Sequence, residues 1–133
     1  MSHSAYYCIL PNTQNIRPRV AIFARKQASL TFCQRTDQIS DSDIIIIDVS
    51  SPQIESFQII NIYNEKSLDS ESDSYTVERS LQHLSLVKET LIAGDFNSHH
   101  SWWNSSITNS IRADSLVSWL EQHDCELVNE PDI

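Results

Sequence analysis

Glycine is almost missing from this sequence, which has a single such residue, Gly94, among 133. An average usage of about 7% would give roughly nine. Glycine serves where the backbone needs unusual dihedral angles or passes close to a ligand. Because the chain keeps it at one position only, the surroundings of Gly94 are the first candidate for a functional site.

Cysteines and long apolar runs are also scarce. The three cysteines, Cys8, Cys33 and Cys125, are odd in number and widely spaced, which fits neither a disulfide framework nor a zinc knuckle. The longest aliphatic run, Ile44 to Ile47, is too short to cross a bilayer, and no basic stretch followed by an apolar run opens the chain. We therefore expect an intracellular protein, nuclear or cytoplasmic, without membrane contact.

Acidic residues are absent from the first 36 positions, where five cations give a charge of +5. The whole chain has a net charge of -9, so the remainder carries -14. A net negative charge argues against a basic surface that would bind nucleic acid by neutralising phosphates and releasing their counterions. A phosphate substrate would depend on the basic N-terminal third or on a bound cation.

The length predicts a single domain, 1–133. In its first half, short apolar segments predict strands. Arg19 to Lys26 and Ser29 to Arg35 are rich in β-branched and aromatic residues and are interpreted as a strand pair. Asp43 to Val49 and Phe57 to Tyr63 flank a Ser-Ser-Pro turn and are interpreted as a hairpin of buried central strands.

Loops, helices and short strands are predicted beyond the hairpin. The polar, serine-rich residues 64–74 predict a loop, and apolar spacing of four and three predicts a helix from Val77 to near Lys88. A short buried strand is expected at Thr90 to Ala93, and a last one at Glu126 to Asn129. A second helix with a cap at Asn109 or Ser110 is predicted by the spacing of Ala113, Leu116, Val117 and Leu120.

The stretch from Leu91 to Trp103 carries the candidate chemistry. A buried strand runs into Gly94 and then presents Asp95 and Asn97, which an extended backbone would place on one side. A carboxylate orients a water or binds a hard cation, and a neutral amide donates to a phosphate oxygen without adding charge. The pair suits phosphodiester hydrolysis, although the same residue types are common in turns.

The longer string GDFNSHHSWW at 94–103 resembles the signature of LINE-type, apurinic-endonuclease-like retrotransposon endonucleases, within the endonuclease/exonuclease/phosphatase superfamily. Asn61-Ile62-Tyr63, which closes an apolar run, is similar to that family's N-x-Y, and Arg17 to Lys26 resembles its entry strand. The order of segments also follows the family across most of the chain. The resemblance implies an α/β (α+β) fold, a partial DNase I-like two-sheet β-sandwich flanked by helices.

The resemblance also implies roles for individual residues. Asp95 would orient the attacking water, Asn97 would hold the scissile phosphate, and Tyr63 would hydrogen-bond it; the alternative for Tyr63 is an aromatic strand cap. Magnesium or manganese is the implied cofactor, with ligands that stay unknown. DNA nicking, in a polyprotein with reverse transcriptase, is the implied activity.

Four further residues are candidate substrate contacts: His99, His100, Trp102 and Asn61. Adjacent histidines diverge and do not easily share one metal, which argues against zinc. One histidine would touch the substrate or pack the loop, and Trp102 and Trp103 would stack on a nucleobase or anchor the loop.

The resemblance is incomplete at both ends. The family opens with a strand bearing a metal-binding glutamate, whereas residues 1–18 contain no acid. The family closes with an aspartate on a later strand and a terminal Ser-Asp-His, and this sequence stops before either. The resemblance therefore implies a truncated domain that lacks N- and C-terminal strands and part of its active site. Uncovered edges at Ile44 to Ile47 and Phe57 to Ile62 would then favour self-association.

Two alternatives to an endonuclease stay open. The first is a non-catalytic fold remnant that acts as a binding or interaction module, which the missing acids and the charge of -9 favour. The second is a sugar-phosphate or lipid phosphatase of the same superfamily, which the His-His-x-Trp extension disfavours.

Overall fold

The computed structural model describes residues 4–13, 16–37, 41–65 and 75–130. The chain forms two compact units, Met1–Phe96 and Asn97–Ile133, and each is described by itself. Most of the loop predicted at 64–74 lies outside the described residues. The single domain expected from the length stays a prediction.

The first unit contains two sheets. Within its described residues there are six strands, which are β1 (Tyr6–Ile9), β2 (Ile22–Arg25), β3 (Thr31–Gln34), β4 (Ile44–Ser51), β5 (Ile54–Tyr63) and β6 (Thr90–Asp95). The larger sheet has the order β3-β4-β5-β6, and the smaller one pairs β1 with β2. All neighbours are antiparallel except β5 and β6, which are parallel.

The two sheets pack face to face through apolar side chains. Ile45, Ile47 and Val49 on one face of β4 form a buried cluster, against which Ile9 and Ile22 of the smaller sheet pack. On the opposite face, Ile44 and Ile46 of β4 and Ile60 and Ile62 of β5 are buried. Burial on both faces explains why β4 is a continuous aliphatic run and does not alternate with polar residues.

The predicted hairpin of central strands is confirmed by β4 and β5, which occupy the middle of the four-stranded sheet. The expected exposure of Ile44 to Ile47 and of Phe57 to Ile62 at uncovered edges is therefore wrong. The edges of this sheet, in the part of the chain that the structure describes, are β3 and β6.

The predicted pairing of the segments Arg19 to Lys26 and Ser29 to Arg35 with each other is also wrong. Both strands exist, but β2 pairs with β1 and β3 pairs with β4, so they belong to different sheets. Ile22 and Phe32 nevertheless pack on the same buried cluster. The chain crosses from one sheet to the other between the two strands, which lets both bury apolar side chains and find backbone partners.

The helix predicted from Val77 to Lys88 is shorter than expected. A single turn, α1 (Thr76–Arg79), is followed by a 3₁₀ turn at Leu81–His83. Ser80, at φ -132°, interrupts the helix, and Leu84 is extended. The apolar spacing correctly predicted burial of Val77, Leu81 and Leu84, but burial at this spacing needs only two short turns.

The second unit is built on α2 (Ile111–Gln122), whose first turn is capped by Ser110. The Ser110 side chain accepts the Ala113 N–H at 3.1 Å, one of the two caps predicted. The strand expected at Glu126 to Asn129 is wrong, because these described residues have no strand pairing and Val128 is 83% exposed. Over the described ranges, no helix is both long enough and apolar enough to span a membrane.

Candidate functional site

The two parallel strands β5 and β6 end side by side at Tyr63 and Asp95. These residues are direct partners in the strand register. Asn61, two residues before Tyr63 in β5, lies on the same face as Tyr63, and its Nδ2 donates to the Ala21 carbonyl at 3.0 Å. Tyr63 is half-buried and Asp95 is exposed, which places a phenol and an accessible carboxylate together.

Gly94 explains how β6 comes so close to β5. Its φ is +144°, and a Cβ at this position would lie 1.9 Å from the Ile62 carbonyl oxygen. Gly94 thus has both features for which a chain uses glycine, an unusual dihedral angle and a close approach. The close approach is to backbone, at the residue immediately before Asp95.

Asn64 ties the ends of the two strands together. Its backbone N–H donates to the Asp95 carbonyl at 2.7 Å, and its Nδ2 donates to the Phe96 carbonyl at 2.8 Å. Its Oδ1 accepts the Val77 N–H at 3.2 Å, and the residue is 1% exposed. The sequence does not single out Asn64, because an asparagine that follows a strand is typical of the start of a loop.

Arg19 places a cation against Tyr63, another contact that the sequence did not predict. The guanidinium carbon lies 4.9 Å from the centroid of the Tyr63 ring, in cation–π range. Arg19 Nε donates to Asp43 Oδ1 at 2.7 Å, and Glu65 lies at 3.2 Å. The hydrogen bond to Asp43 raises the pKa of Arg19 against the opposing effect of burial, with a further rise from Glu65. The cation is therefore permanent and fixed in place.

Asp43 is held by a second arginine as well. Its carboxylate, 1% exposed, lies 3.1 Å from Arg79, which also binds Asp41 at 2.7 Å. The Asp43 carbonyl accepts the Tyr63 N–H at 2.9 Å. This network joins α1 to the start of β4 and supports the end of β5, and its carboxylates are already engaged by arginines.

Asn97 opens the second unit and lies beyond the end of β6. Its φ is +46°, a left-handed conformation that asparagine tolerates better than most residues. The structure thus differs from the extended backbone assumed for Asp95 and Asn97, because the strand ends at Asp95. Strand periodicity does not place the two side chains on one face.

His100 is built into the loop of the second unit. It is 8% exposed, its Nδ1 accepts the Trp102 N–H at 3.0 Å, and its Nε2 lies 3.2 Å from Asp114. The Trp103 ring lies 5.4 Å away, centroid to centroid. Both ring nitrogens therefore contact residues of the same unit. This geometry favours a role in loop packing over a role in substrate binding for His100. His99 is exposed, and its role in substrate binding stays a prediction.

The two tryptophans are used differently. Trp103 donates from Nε1 to the Ser98 carbonyl at 3.1 Å and so anchors the loop. Trp102 lines an open concavity of about 360 Å³, together with Cys125, Glu126, Leu127 and Asn129. Burial raises the pKa of the Cys125 thiol, with a further contribution from Asp124, so this cysteine is not an activated nucleophile.

The carboxylates near Tyr63 offer an incomplete set of metal ligands. Over the described ranges, no group of three or more histidine, cysteine, aspartate or glutamate side chains is arranged to hold a metal ion. Mg²⁺ keeps several waters and often takes only one or two protein carboxylates besides substrate phosphates. Asp95 fits one such position.

The pair of packed sheets with flanking helical turns defines an α+β fold, consistent with a partial DNase I-like domain. The sequence profile of the endonuclease–reverse transcriptase family matches residues 57–132, more than half of the chain. The chain belongs to this endonuclease–reverse transcriptase family. No curated protein matches it. The matched region includes Tyr63, Asp95 and Asn97, whereas Arg19 and Asp43 precede it.

Proposed function

We propose that this chain carries part of a metal-dependent phosphodiesterase centre that nicks DNA, within a polyprotein that also contains reverse transcriptase. The observation that carries the proposal is the register of β5 and β6, which brings Tyr63 and Asp95 together at two adjacent strand ends. Membership of the endonuclease–reverse transcriptase family indicates a nuclease-type function and DNA as the substrate class.

The chemistry proposed for these side chains is hydrolysis by an oriented water. Asp95 would accept a proton from the water while the water oxygen forms a bond to phosphorus. The bond from phosphorus to the leaving sugar oxygen would break, and that sugar oxygen would take a proton from solvent. The Tyr63 hydroxyl would donate to a phosphate oxygen, as would the Asn97 amide. Arg19 would hold the Tyr63 ring and add positive charge beside it.

Magnesium or manganese is the proposed cofactor, which would neutralise charge that develops on the phosphate. Asp95 is the ligand that the described residues supply for it. Since Asp43 and Asp41 are engaged by arginines, further carboxylates would have to come from another segment or another chain. We therefore expect turnover by this chain alone to be weak but measurable.

Plasmid nicking tests the proposal. The purified chain would be titrated with Mg²⁺ and with Mn²⁺ while nicking of supercoiled plasmid is followed, with Asp95→Ala and Asn97→Ala as site variants and Asp37→Ala as a control. Asp37 is 62% exposed and pairs with Arg35 at 2.6 Å. Metal-dependent nicking that both site variants lose and the control keeps would support the proposal. Nicking that is equal in all four proteins would refute it.

A non-catalytic binding module is the second candidate. It is favoured by the incomplete ligand set among the described residues and by the net charge of -9. DNA or protein binding that is independent of divalent metal and unchanged in Asp95→Ala, without nicking, would support this alternative.

Self-association is a further proposal, and it concerns the exposed edges of the larger sheet. Among the described residues these edges are β3 and β6, and an edge strand is where a strand of another chain can add to a sheet. Sedimentation velocity over a range of concentrations would test it, because a strictly monomeric chain would exclude such pairing.

A further inference from the structure

We propose that Asn64 is a positioning residue of this site, which fixes the end of β6, and with it Asp95, beside Tyr63. Nothing in the family match assigns a role to this asparagine. Its catalytic consequence rests on the proposed function, whereas its effect on the placement of Asp95 does not.

The geometry gives Asn64 contacts on both sides of the site. It directly follows Tyr63, the last residue of β5. Its backbone N–H donates to the carbonyl of Asp95 at 2.7 Å. Its side-chain Nδ2 reaches one residue further and donates to the carbonyl of Phe96 at 2.8 Å. Two consecutive carbonyls of the segment that carries Asp95 are thus held by one residue.

The acceptor atom of the same side chain is used in a third direction. Asn64 Oδ1 accepts the Val77 N–H, at the start of α1, at 3.2 Å. An amide is needed because the position requires a donor toward one segment and an acceptor toward another. Aspartate would lose the donor and would place a charge at a residue that is only 1% exposed.

The backbone freedom of Gly94 makes this restraint useful. The residue before Asp95 is Gly94, with φ +144°, so the end of β6 departs from ordinary strand geometry. Because glycine adopts many backbone conformations, contacts around it must select one. The paired bonds from Asn64, close to the strand end, provide such contacts.

Thr76 offers a matched control. It is 0% exposed, and its Oγ1 donates to the Tyr63 carbonyl at 2.7 Å. It therefore joins α1 to the end of β5, as Asn64 does, but this hydrogen bond does not reach β6. Thr76→Val should lower stability without moving Asp95.

Nuclear magnetic resonance of the isotope-labelled chain tests the proposal without requiring activity. The carboxyl carbon of Asp95 would be followed in the wild type, Asn64→Ala, Asn64→Asp and Thr76→Val. We expect its chemical shift to change in both Asn64 variants and to stay near the wild-type value in Thr76→Val. In the wild type, the Asn64 Nδ2 protons should exchange slowly with solvent and show coupling to the Phe96 carbonyl.

Nicking kinetics add the functional arm. If the wild type nicks, kcat should fall by about 100-fold in Asn64→Ala with KM little changed, because a small misplacement of a reacting group costs about this much. Thr76→Val should lower kcat less than Asn64→Ala does, because its hydrogen bond is to the Tyr63 carbonyl and not to the segment that carries Asp95.

The two proposals fail in different ways. A changed Asp95 signal with no nicking by the wild type would support the positioning role and count against the nuclease. An Asp95 signal that is unchanged in the Asn64 variants, or equally changed in Thr76→Val, would overturn the positioning role whether or not DNA is cut. If the Asn64 variants do not fold, rapid exchange of the wild-type Nδ2 protons would overturn it.

Discussion

Asp43 places a negative charge where water scarcely reaches it. Its side chain is 1% exposed and is bound by Arg19 and Arg79. Removing one partner of a buried ion pair leaves the other charges uncompensated, which costs more than the pair itself contributes. The residues that support Tyr63 are therefore expected to be sensitive to small chemical changes.

Substitution Asp43→Asn should lower the free energy of unfolding by about 1–3 kcal/mol, because a buried acceptor of charged hydrogen bonds becomes a neutral amide. The loss is limited because Arg19 keeps Glu65 and Arg79 keeps Asp41 as partners. Urea unfolding measured by circular dichroism would show it as a lower midpoint with an unchanged slope. Asp37→Asn is the control, since Asp37 is an exposed partner of Arg35 and its loss should change little. Equal effects of the two substitutions would contradict a buried network.

Gly94 is the second residue whose chemistry is fixed by its position. A methyl group there would meet the Ile62 carbonyl at 1.9 Å, at a φ of +144°. Gly94→Ala should therefore cost about 3 kcal/mol or more in unfolding free energy, from backbone strain and overpacking together. The neighbouring exposed Ala93 gives a control, because Ala93→Gly should cost only about 0.5–1 kcal/mol. A Gly94→Ala variant with wild-type stability would show that β6 does not approach β5 in this way.

Sequence patterns pointed to Tyr63 and Asp95 because the N-x-Y and GDFN strings resemble motifs of a known family. They did not identify Asn64 or Arg19, whose roles depend on partners distant in sequence, such as Phe96 for Asn64 and Tyr63 for Arg19. Periodicity reports the burial of a residue but not the identity of its distant partner.

At the scale of elements, α1 is short and is held by side chains more than by its own backbone. Arg79 and Ser80 both bind Asp41, at 2.7 Å in each case. Burial opposes ionisation of Asp41, but these hydrogen bonds and the Asp43 N–H hold its pKa below the ordinary value of 3.8. The helical turn is thereby attached to the start of β4.

This attachment should depend on pH. Because the folded-state pKa of Asp41 is lowered, its contribution to stability is complete above the ordinary value of 3.8 and is lost as the pH falls below it through the folded-state pKa. Unfolding free energies measured from about pH 5 to about pH 2 should fall more steeply in the wild type than in Asp41→Asn. Parallel curves for the two proteins would show that Asp41 does not contribute in this way.

The predicted and observed elements differ mainly in pairing and length. The β4–β5 hairpin and α2 follow from local patterns, since a turn joins the two strands and a cap begins the helix. The pairing of β2 with β1 depends on Tyr6–Ile9, a four-residue segment that is too short to stand out in a sequence. The early end of α1 depends on the conformation of Ser80, which the apolar spacing around it does not determine.

At the scale of the whole molecule, charge is distributed unevenly but is partly used internally. Of the five cations in the first 36 residues, Arg19 and Arg35 already pair with carboxylates. The basic N-terminal third therefore offers a weaker field toward DNA than its sequence suggests. One of its arginines instead lies against Tyr63. The expectation that a phosphate site would draw on this part of the chain stays a prediction.

The central claim is that the ends of β5 and β6 form the place where phosphate and metal meet. The most direct test is to add Mn²⁺ and a short DNA duplex to the isotope-labelled chain and to map paramagnetic broadening of the backbone signals. We predict that Tyr63, Asn64 and Asp95 broaden first and that Asp95→Asn abolishes the effect. Broadening centred on other carboxylates, such as Asp37 or Glu121, and unchanged in Asp95→Asn, would contradict the claim.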